Sequence, residues 1–516
     1  MRSRTTTRLV GLASAVMVGV LAGCSNGGGV DVGGSGGSGS SGGSGGTLNA
    51  AIGGEPDQLD PHKTSAYYSF EVLENVYDTL VEPDADLKMQ PSLASSWTTS
   101  KDQLTWTFKL RNGVTFSDGS PLDSQDVVYS YQRIIKQKLN SAYKFSTVKS
   151  ITAPDKSTVV MKLSAPTPNL LANVGGFKGV AIVEKSNVDS GAIKTKPVGS
   201  GPFKVASYTS GDSIKLVRNN KYWGAKPKLD GVNFTFVKDP TVALQNLQSD
   251  EVQWTDNLPP QQVKSLKGSS DMTVETAPST DYWYMALNEA RKPFDNVQVR
   301  RAIATAIDRD AITKAAKFGN ATVNQTAIPK GSAFYYDYAP YRHDTAKAKQ
   351  MLDAAGVKNL TMDLMVTSEY PETVSAAQVI AAELKDVGIT VKIRTLDFAQ
   401  WLDEEGKGSF DSFMLGWLGN IDPDEFYYAQ HHTGGTFNFQ KYSNPQVDKL
   451  LDQARTETNQ EARKQQYDQA AKMIVDDASY IYLYNPDVVQ GWSKKLSGYE
   501  VRSDRAIRFR DASLSQ

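Results

Sequence analysis

Few side chains in this 516-residue chain have the type and spacing needed to make or break bonds. Four histidines occur, His62, His343, His431 and His432, and none stands at a metalloprotease spacing. Cys24 is the single cysteine, so no internal disulfide and no cysteine-based zinc site can form. The pair His431-His432 could ligate a transition metal, but neighbours on a strand point to opposite faces, which favours a surface or turn position. Asp422 and Asp424 could share acid–base work. With 57 acidic residues such neighbours arise by chance, and a solvated turn is the expectation. Gly33-Gly34-Ser35-Gly36-Gly37 matches a nucleophile elbow, but no strand precedes it and no helix follows. The expectation is therefore no catalytic residue, no metal and no cofactor.

Recognition is the chemistry that remains, and one stretch suits it: Phe410-Asp411-Ser412-Phe413-Met414-Leu415-Gly416-Trp417-Leu418-Gly419-Asn420-Ile421-Asp422-Pro423. Phe413 to Leu415 is a short apolar run consistent with a buried strand. Gly416 and Gly419 flank Trp417, and glycines in a strand mark a place where another backbone or a ligand approaches closely. Asp422-Pro423 ends the run, because proline cannot donate to a ladder and restricts the residue before it. An open strand edge beside a large aromatic would suit an extended, peptide-like ligand pairing main chain to main chain.

The elements that must position this stretch alternate between strand and helix from Thr47 onward. Leu48 to Ile52 is strand-like. Trp106, Phe108 and Leu110 alternate, Asn112-Gly113 offers a two-residue turn, and Val114 and Phe116 are expected to return as a hairpin strand. Asp123 opens a helix with Asp126 completing a capping box, and Val127, Tyr131, Ile134 and Ile135 form its apolar face. Strand patterns recur at 158–163, 203–208 and 213–217. After Asp295, Val299, Ala302, Ile303, Ala306 and Ile307 fall at helical spacing. Ala377, Ile380, Ala381, Leu384 and Val387 do the same, with Gly388 at the C-cap and Ile389, Val391 and Ile393 alternating after it. That helix-to-strand unit is of α/β type. Asn444-Pro445 starts a further helix, Tyr467, Ala470, Ala471 and Ile474 mark another, and 480–484 reads as a strand.

The N-terminus reads as an address. Arg2, Arg4 and Arg8 precede an apolar, small-residue run from Leu9 to Gly23, as in a secretory signal peptide over 1–23. The run ends in Leu21-Ala22-Gly23-Cys24, which resembles a bacterial lipobox with Cys24 as lipid acceptor. Residues 25–46 are almost wholly glycine and serine, a flexible tether with a reach of about 25 Å. Lys+Arg total 56 against 57 Asp+Glu, which gives no sign of nucleic acid as a partner. No second stretch is apolar enough to span a bilayer.

Several ordered motifs together resemble the bacterial ABC-transporter solute-binding proteins of family 5, the dipeptide/oligopeptide/nickel type. They are Leu59-Asp60-Pro61-His62, Val72-Leu73-Glu74-Asn75-Val76-Tyr77-Asp78-Thr79-Leu80 and Pro91-Ser92-Leu93-Ala94-Ser95-Ser96-Trp97. Thr107-Phe108-Lys109-Leu110-Arg111-Asn112-Gly113-Val114-Thr115-Phe116-Ser117-Asp118-Gly119 follows. Later come Pro197-Val198-Gly199-Ser200-Gly201-Pro202-Phe203 and Phe294-Asp295-Asn296-Val297-Gln298-Val299-Arg300-Arg301-Ala302. The resemblance implies an α/β fold of two lobes, periplasmic-binding-protein-like (type II), with an extra subdomain inserted in lobe I. Lobe I would comprise 47–92, 197–283 and 487–516, the insertion 93–196, and lobe II 284–486. Two crossing strands near 283–288 and 481–485 would form the hinge.

By the same resemblance, the Gly416, Trp417, Leu418, Gly419 and Asn420 segment lies against ligand backbone. Asn420 occupies the position where peptide-binding relatives carry an aspartate for the peptide's α-ammonium, and an amide lacks that charge-assisted strength. Asp422 is the substitute that a small loop shift would bring in. Glu55 and Asp57 would add contacts from lobe I, Phe398 would line the pocket, and Tyr282 and Trp283 would reach it from the hinge. The function implied is a lipid-anchored, monomeric receptor on the extracytoplasmic face of the cell membrane, handing short peptides to ABC permease subunits. The alternatives are a non-peptide solute (oligosaccharide, opine-like conjugate or metal chelate) or, from another class, a hydrolase of cell-wall peptides. The last would need a nucleophile–base pair that no spacing supplies.

Overall fold

The computed structural model describes residues 45–515. The expected signal peptide, Cys24 and all but the end of the tether lie outside the described residues. The alternating pattern after Thr47 forms the strand Thr47–Ile52, which fully buries Leu48, Ala50 and Ile52 and lies parallel to Gly231–Phe236. This pair belongs to a 12-stranded sheet. One half of that sheet holds Thr47–Ile52, Gly231–Phe236, Ser213–Arg218 and Phe203–Thr209. The other holds Tyr282–Leu287, Ser412–Trp417, Leu360–Thr367 and Ile389–Leu396.

One strand joins the halves. Tyr480–Ser493 runs 14 residues, far beyond the expected five, because its two ends serve different partners. Its first residues pair with Trp283 to Ala286, and residues from Asp487 onward pair with Met272–Pro278. The chain also passes from Met272–Pro278 to Tyr282–Leu287 at this point, so two crossing connections lie side by side.

Local signals place the helices. Asp123 caps Ser124–Lys136 with the full capping box to Asp126, and Val127, Tyr131 and Ile134 are fully buried. Pro371–Asp386 ends before Gly388, whose φ of +83° lets the chain reverse into Ile389–Leu396, parallel to Leu360–Thr367. Val297–Ala306 stops one residue short of the periodic run. Ile307 is extended because Asp308 starts the next helix as its N-cap, accepting from the N–H groups of Asp310 and Ala311.

One expected hairpin does not form. Asn112-Gly113 does turn, with Gly113 at φ +72°, but Val114 and Phe116 make no return strand. Thr105–Leu110 pairs instead with Ala94–Thr99 and Thr158–Leu163 in a separate four-stranded sheet. Val114 and Phe116 are buried in the core of that subdomain. Packing against Leu110, Val127 and Tyr131 outweighs a local turn preference.

Candidate ligand-binding site

The strand Ser412–Trp417 buries Phe413 and Met414 completely and becomes half-buried from Leu415 on. One of its edges is paired along its whole length with Tyr282–Leu287. The other pairs with Leu360–Thr367 only at Ser412 and Phe413. From Met414 to Trp417 that edge is open. Leu415, Gly416, Trp417, Leu418 and Asn420 line a cavity of about 440 Å³ beside it. An open edge of this kind offers a row of N–H and C=O groups to an incoming strand.

Gly416 is required by packing. A Cβ there would sit 2.8 Å from the ring of Trp283, which is itself 1% exposed and lines the same cavity. Gly419 has φ +60° and donates its N–H to Asp281 Oδ1 at 2.6 Å, which swings the chain off the strand. Asn420 follows, 8% exposed, with its Nδ2 lacking a protein partner. The open edge is walled by aromatics. Trp417 contacts Phe437 at 4.7 Å between centroids, and Phe398, Tyr370 and Trp283 stand edge to face in sequence.

The opposite wall comes from remote parts of the chain. Asp57, Tyr67 and Phe70 contribute from the first segment, and Tyr143, Lys144 and Lys178 from the 93–196 region. Contacts cross between the walls. Lys144 Nζ is 2.6 Å from Glu425 Oε1 with both side chains nearly buried, and Arg455 donates to the Tyr143 carbonyl at 2.7 Å. Tyr68 donates to the Glu369 carbonyl at 2.9 Å and stacks on Tyr370. Lys238 pairs with Glu369 at 2.9 Å.

The charged groups differ in how they are answered. Burial would raise the Glu425 carboxyl, but Lys144 and the N–H groups of Ile421 and Asp422 outweigh it and hold it below the usual range. Burial pulls the Lys178 ammonium down against the surrounding carboxylates of Asp281, Glu425, Glu74 and Asp504. Asp57 accepts from the hydroxyls of Thr64 and Ser69. Glu405 is 4% exposed, and burial alone pushes its carboxyl well above the usual range.

Of the residues expected from sequence, Asp57, Trp283, Phe398, Gly416, Trp417, Leu418 and Asn420 come together around this cavity. Four lie elsewhere. Glu55 is engaged within its own half by Tyr208, Ser210 and the Gly211 N–H. Tyr282 is 1% exposed in an aromatic cluster, its hydroxyl donating to the Phe426 carbonyl. Gly419 turns away beneath Lys178. Asp422 is the N-cap of Pro423–His431, and Arg463 holds its carboxylate with two bonds of 2.7 and 2.9 Å.

The solvated-turn reading of Asp422 and Asp424 is therefore replaced. Asp424 is fully buried against Arg455 at 3.1 Å. The reading of His431-His432 as a surface or turn pair is replaced for His431, while His432 caps the helix end and stays partly exposed. His431 ends a helix, is fully buried, bonds Ser479 and the Tyr482 hydroxyl, and is driven by burial to a pKa of about 3. Among the described residues no group of three or more His, Cys, Asp or Glu could hold a metal ion.

Sequence reasoning missed Tyr370, Leu402, Glu405 and the whole wall from Tyr143 to Lys178. The wall has no local signal. Glu405 had one: Phe398, Leu402 and Glu405 follow i, i+4, i+7 on one helix face, which places a carboxylate in an apolar stripe.

Comparison with known proteins fits this architecture. Residues 88–438 match the family described as "Bacterial extracellular solute-binding proteins, family 5 Middle". The chain is 31% identical over 481 residues to the glutathione-binding protein GsiB of Pectobacterium atrosepticum, covering 90% of this chain and 94% of that one. The periplasmic binding protein DppA of Helicobacter pylori, solved with the peptide STSA, superposes with a TM-score of 0.85 at 29% identity, covering 92% and 98%. AgaA from A. tumefacien R10, solved with agropinic acid, gives 0.85 at 27%, covering 91% and 99%. With its two-lobed α/β fold, the chain belongs to the bacterial extracellular solute-binding proteins of family 5, the extracytoplasmic binding receptors of ABC importers.

Proposed function

We propose that this receptor captures short peptides in the cavity beside Ser412–Trp417 and delivers them to its permease. The observation that carries the reading is the open edge from Met414 to Trp417, unpaired on the cavity side and flanked by aromatic walls. Main-chain pairing gives affinity for any extended backbone, and the aromatic walls accept varied side chains. DppA, solved with a peptide, and GsiB, a glutathione-binding protein, support the same class.

The division into lobe I (47–92, 197–283, 487–516), insertion (93–196) and lobe II (284–486) belongs to this proposal. Support comes from the double pairing of Tyr480–Ser493 and the adjacent connection between Pro278 and Tyr282, which make a two-strand hinge. Lys144–Glu425 and Tyr68–Glu369 then bridge the lobes in a closed form, which ligand stabilises by touching both. Cys24, lipidated at the end of the glycine-serine tether, would hold the monomeric receptor at the membrane. Asn420 in place of a carboxylate, together with the likeness to AgaA, favours an opine-like conjugate as the second reading.

Calorimetric titration with di- to pentapeptides, and with the same peptides N-methylated at successive backbone amides, tests this. Binding that drops at one or two specific N-methyl positions is expected. Indifference to peptides, with binding of a sugar, opine or metal chelate, would overturn it.

A further inference from the structure

We propose that Glu405 forms a subsite for a cationic group, an ammonium or guanidinium, carried by the ligand. The proposal deepens the peptide reading and rests on it for the choice of probes. Glu405 lies on Phe398–Lys407, on the face that also sends Phe398 and Leu402 to the cavity wall. It is 4% exposed and lines the cavity, yet among the described residues its carboxyl has no hydrogen-bond donor and no ion-pair partner.

Three other buried acids near the site are answered. Glu425 has Lys144 at 2.6 Å, Asp281 has Arg505 at 3.2 Å, and Asp424 has Arg455 at 3.1 Å. A carboxyl left unanswered in such a place, as Glu405 is, is neutral by protonation or is met by a charge from outside the fold. Burial raises its affinity for a proton.

The surroundings suit a cation. Phe398, Trp417 and Tyr370 line the same cavity, and aromatic faces attract ammonium and guanidinium groups. The neighbouring apolar wall would hold the methylene stem of a long basic side chain. Glu405 thereby offers the negative charge that Asn420 lacks. The ligand's cation can come from a basic side chain or from its terminal amine, and the two are separable.

The test is calorimetry on the full chain and its Glu405→Gln variant, using Ala-Lys-Ala, its isostere Ala-norleucine-Ala, and the N-acetylated form of each. The wild type is expected to prefer lysine over norleucine by roughly tenfold or more. Glu405→Gln should erase that preference, and its thermal midpoint should hold or rise. A lysine preference that survives acetylation assigns the subsite to the side chain. A preference for a free terminus, lost in Glu405→Gln, assigns it to the amine. An unchanged lysine preference and an unchanged terminus preference in the variant overturn the proposal. If no peptide binds the wild type, the peptide reading falls separately. Tryptophan quenching by agmatine but not by pentanol, abolished in Glu405→Gln, would then sustain the cation subsite, and its absence would overturn it.

Discussion

Replacing Lys144 by methionine tests the closed form at its most sensitive contact. Lys144 Nζ lies 2.6 Å from Glu425 Oε1, with side chains 4% and 10% exposed. The two residues come from Ala142–Phe145 and Pro423–His431, on opposite walls of the cavity. Breaking a buried pair by removing one partner costs about 3–5 kcal/mol, because the remaining charge is left uncompensated. Here the lower end applies, since Ile421 and Asp422 still donate to Glu425 Oε2 at 2.7 and 3.2 Å. In an open form the carboxylate is hydrated, so nearly all of the penalty falls on closure. About 3 kcal/mol on closure weakens ligand binding roughly a hundredfold. Calorimetry with a peptide that binds the wild type reads this directly. The double variant Lys144→Met/Glu425→Gln leaves no unpaired charge and should recover most of the loss. Wild-type affinity in Lys144→Met, or a double variant no better than the single one, would refute the reasoning. The pH dependence has a defined sign. The Glu425 carboxyl is depressed in the closed form, so its contribution is complete above the usual glutamate range and disappears as pH falls through the depressed value. The Glu425 contribution to binding should therefore be flat near neutrality and fall only in acid.

Three further outcomes follow from the same geometry. Asn420→Asp should tighten binding of peptides with a free amine by about 1–2 kcal/mol and weaken that of N-acetylated ones; equal responses would place the amine away from residue 420. Gly416→Ala drives a methyl to within 2.8 Å of the Trp283 ring, an overpacking that should lower stability by about 1–3 kcal/mol and blunt the ligand-induced tryptophan signal, read by thermal melting and fluorescence. Cys24→Ala should move the protein from the membrane fraction to the soluble extracytoplasmic one; a wild type already soluble and unlipidated would remove the anchor.

What the sequence determined by itself is local. Asp123 with Asp126, Asn444-Pro445 and Gly388 mark helix ends, because a cap or a left-handed turn needs only the residues around it. The strand at Phe413 to Leu415 and the glycines around Trp417 were legible for the same reason, and ordered motifs carried the family resemblance. Tertiary structure decided the rest. Asn112-Gly113 looked like a hairpin, but Thr105–Leu110 pairs with the preceding Ala94–Thr99 and with Thr158–Leu163, some fifty residues on, the latter chosen by a core that local pattern does not encode. Asp422 looked available for ligand until Arg463, on another helix, took both its oxygens. His431 looked superficial until packing against Tyr480 and Tyr482 buried it. The wall from Tyr143 to Lys178 reaches the site only because the two halves fold together. Whether a polar side chain is free to bind depends on what arrives beside it, and those neighbours are distant in sequence.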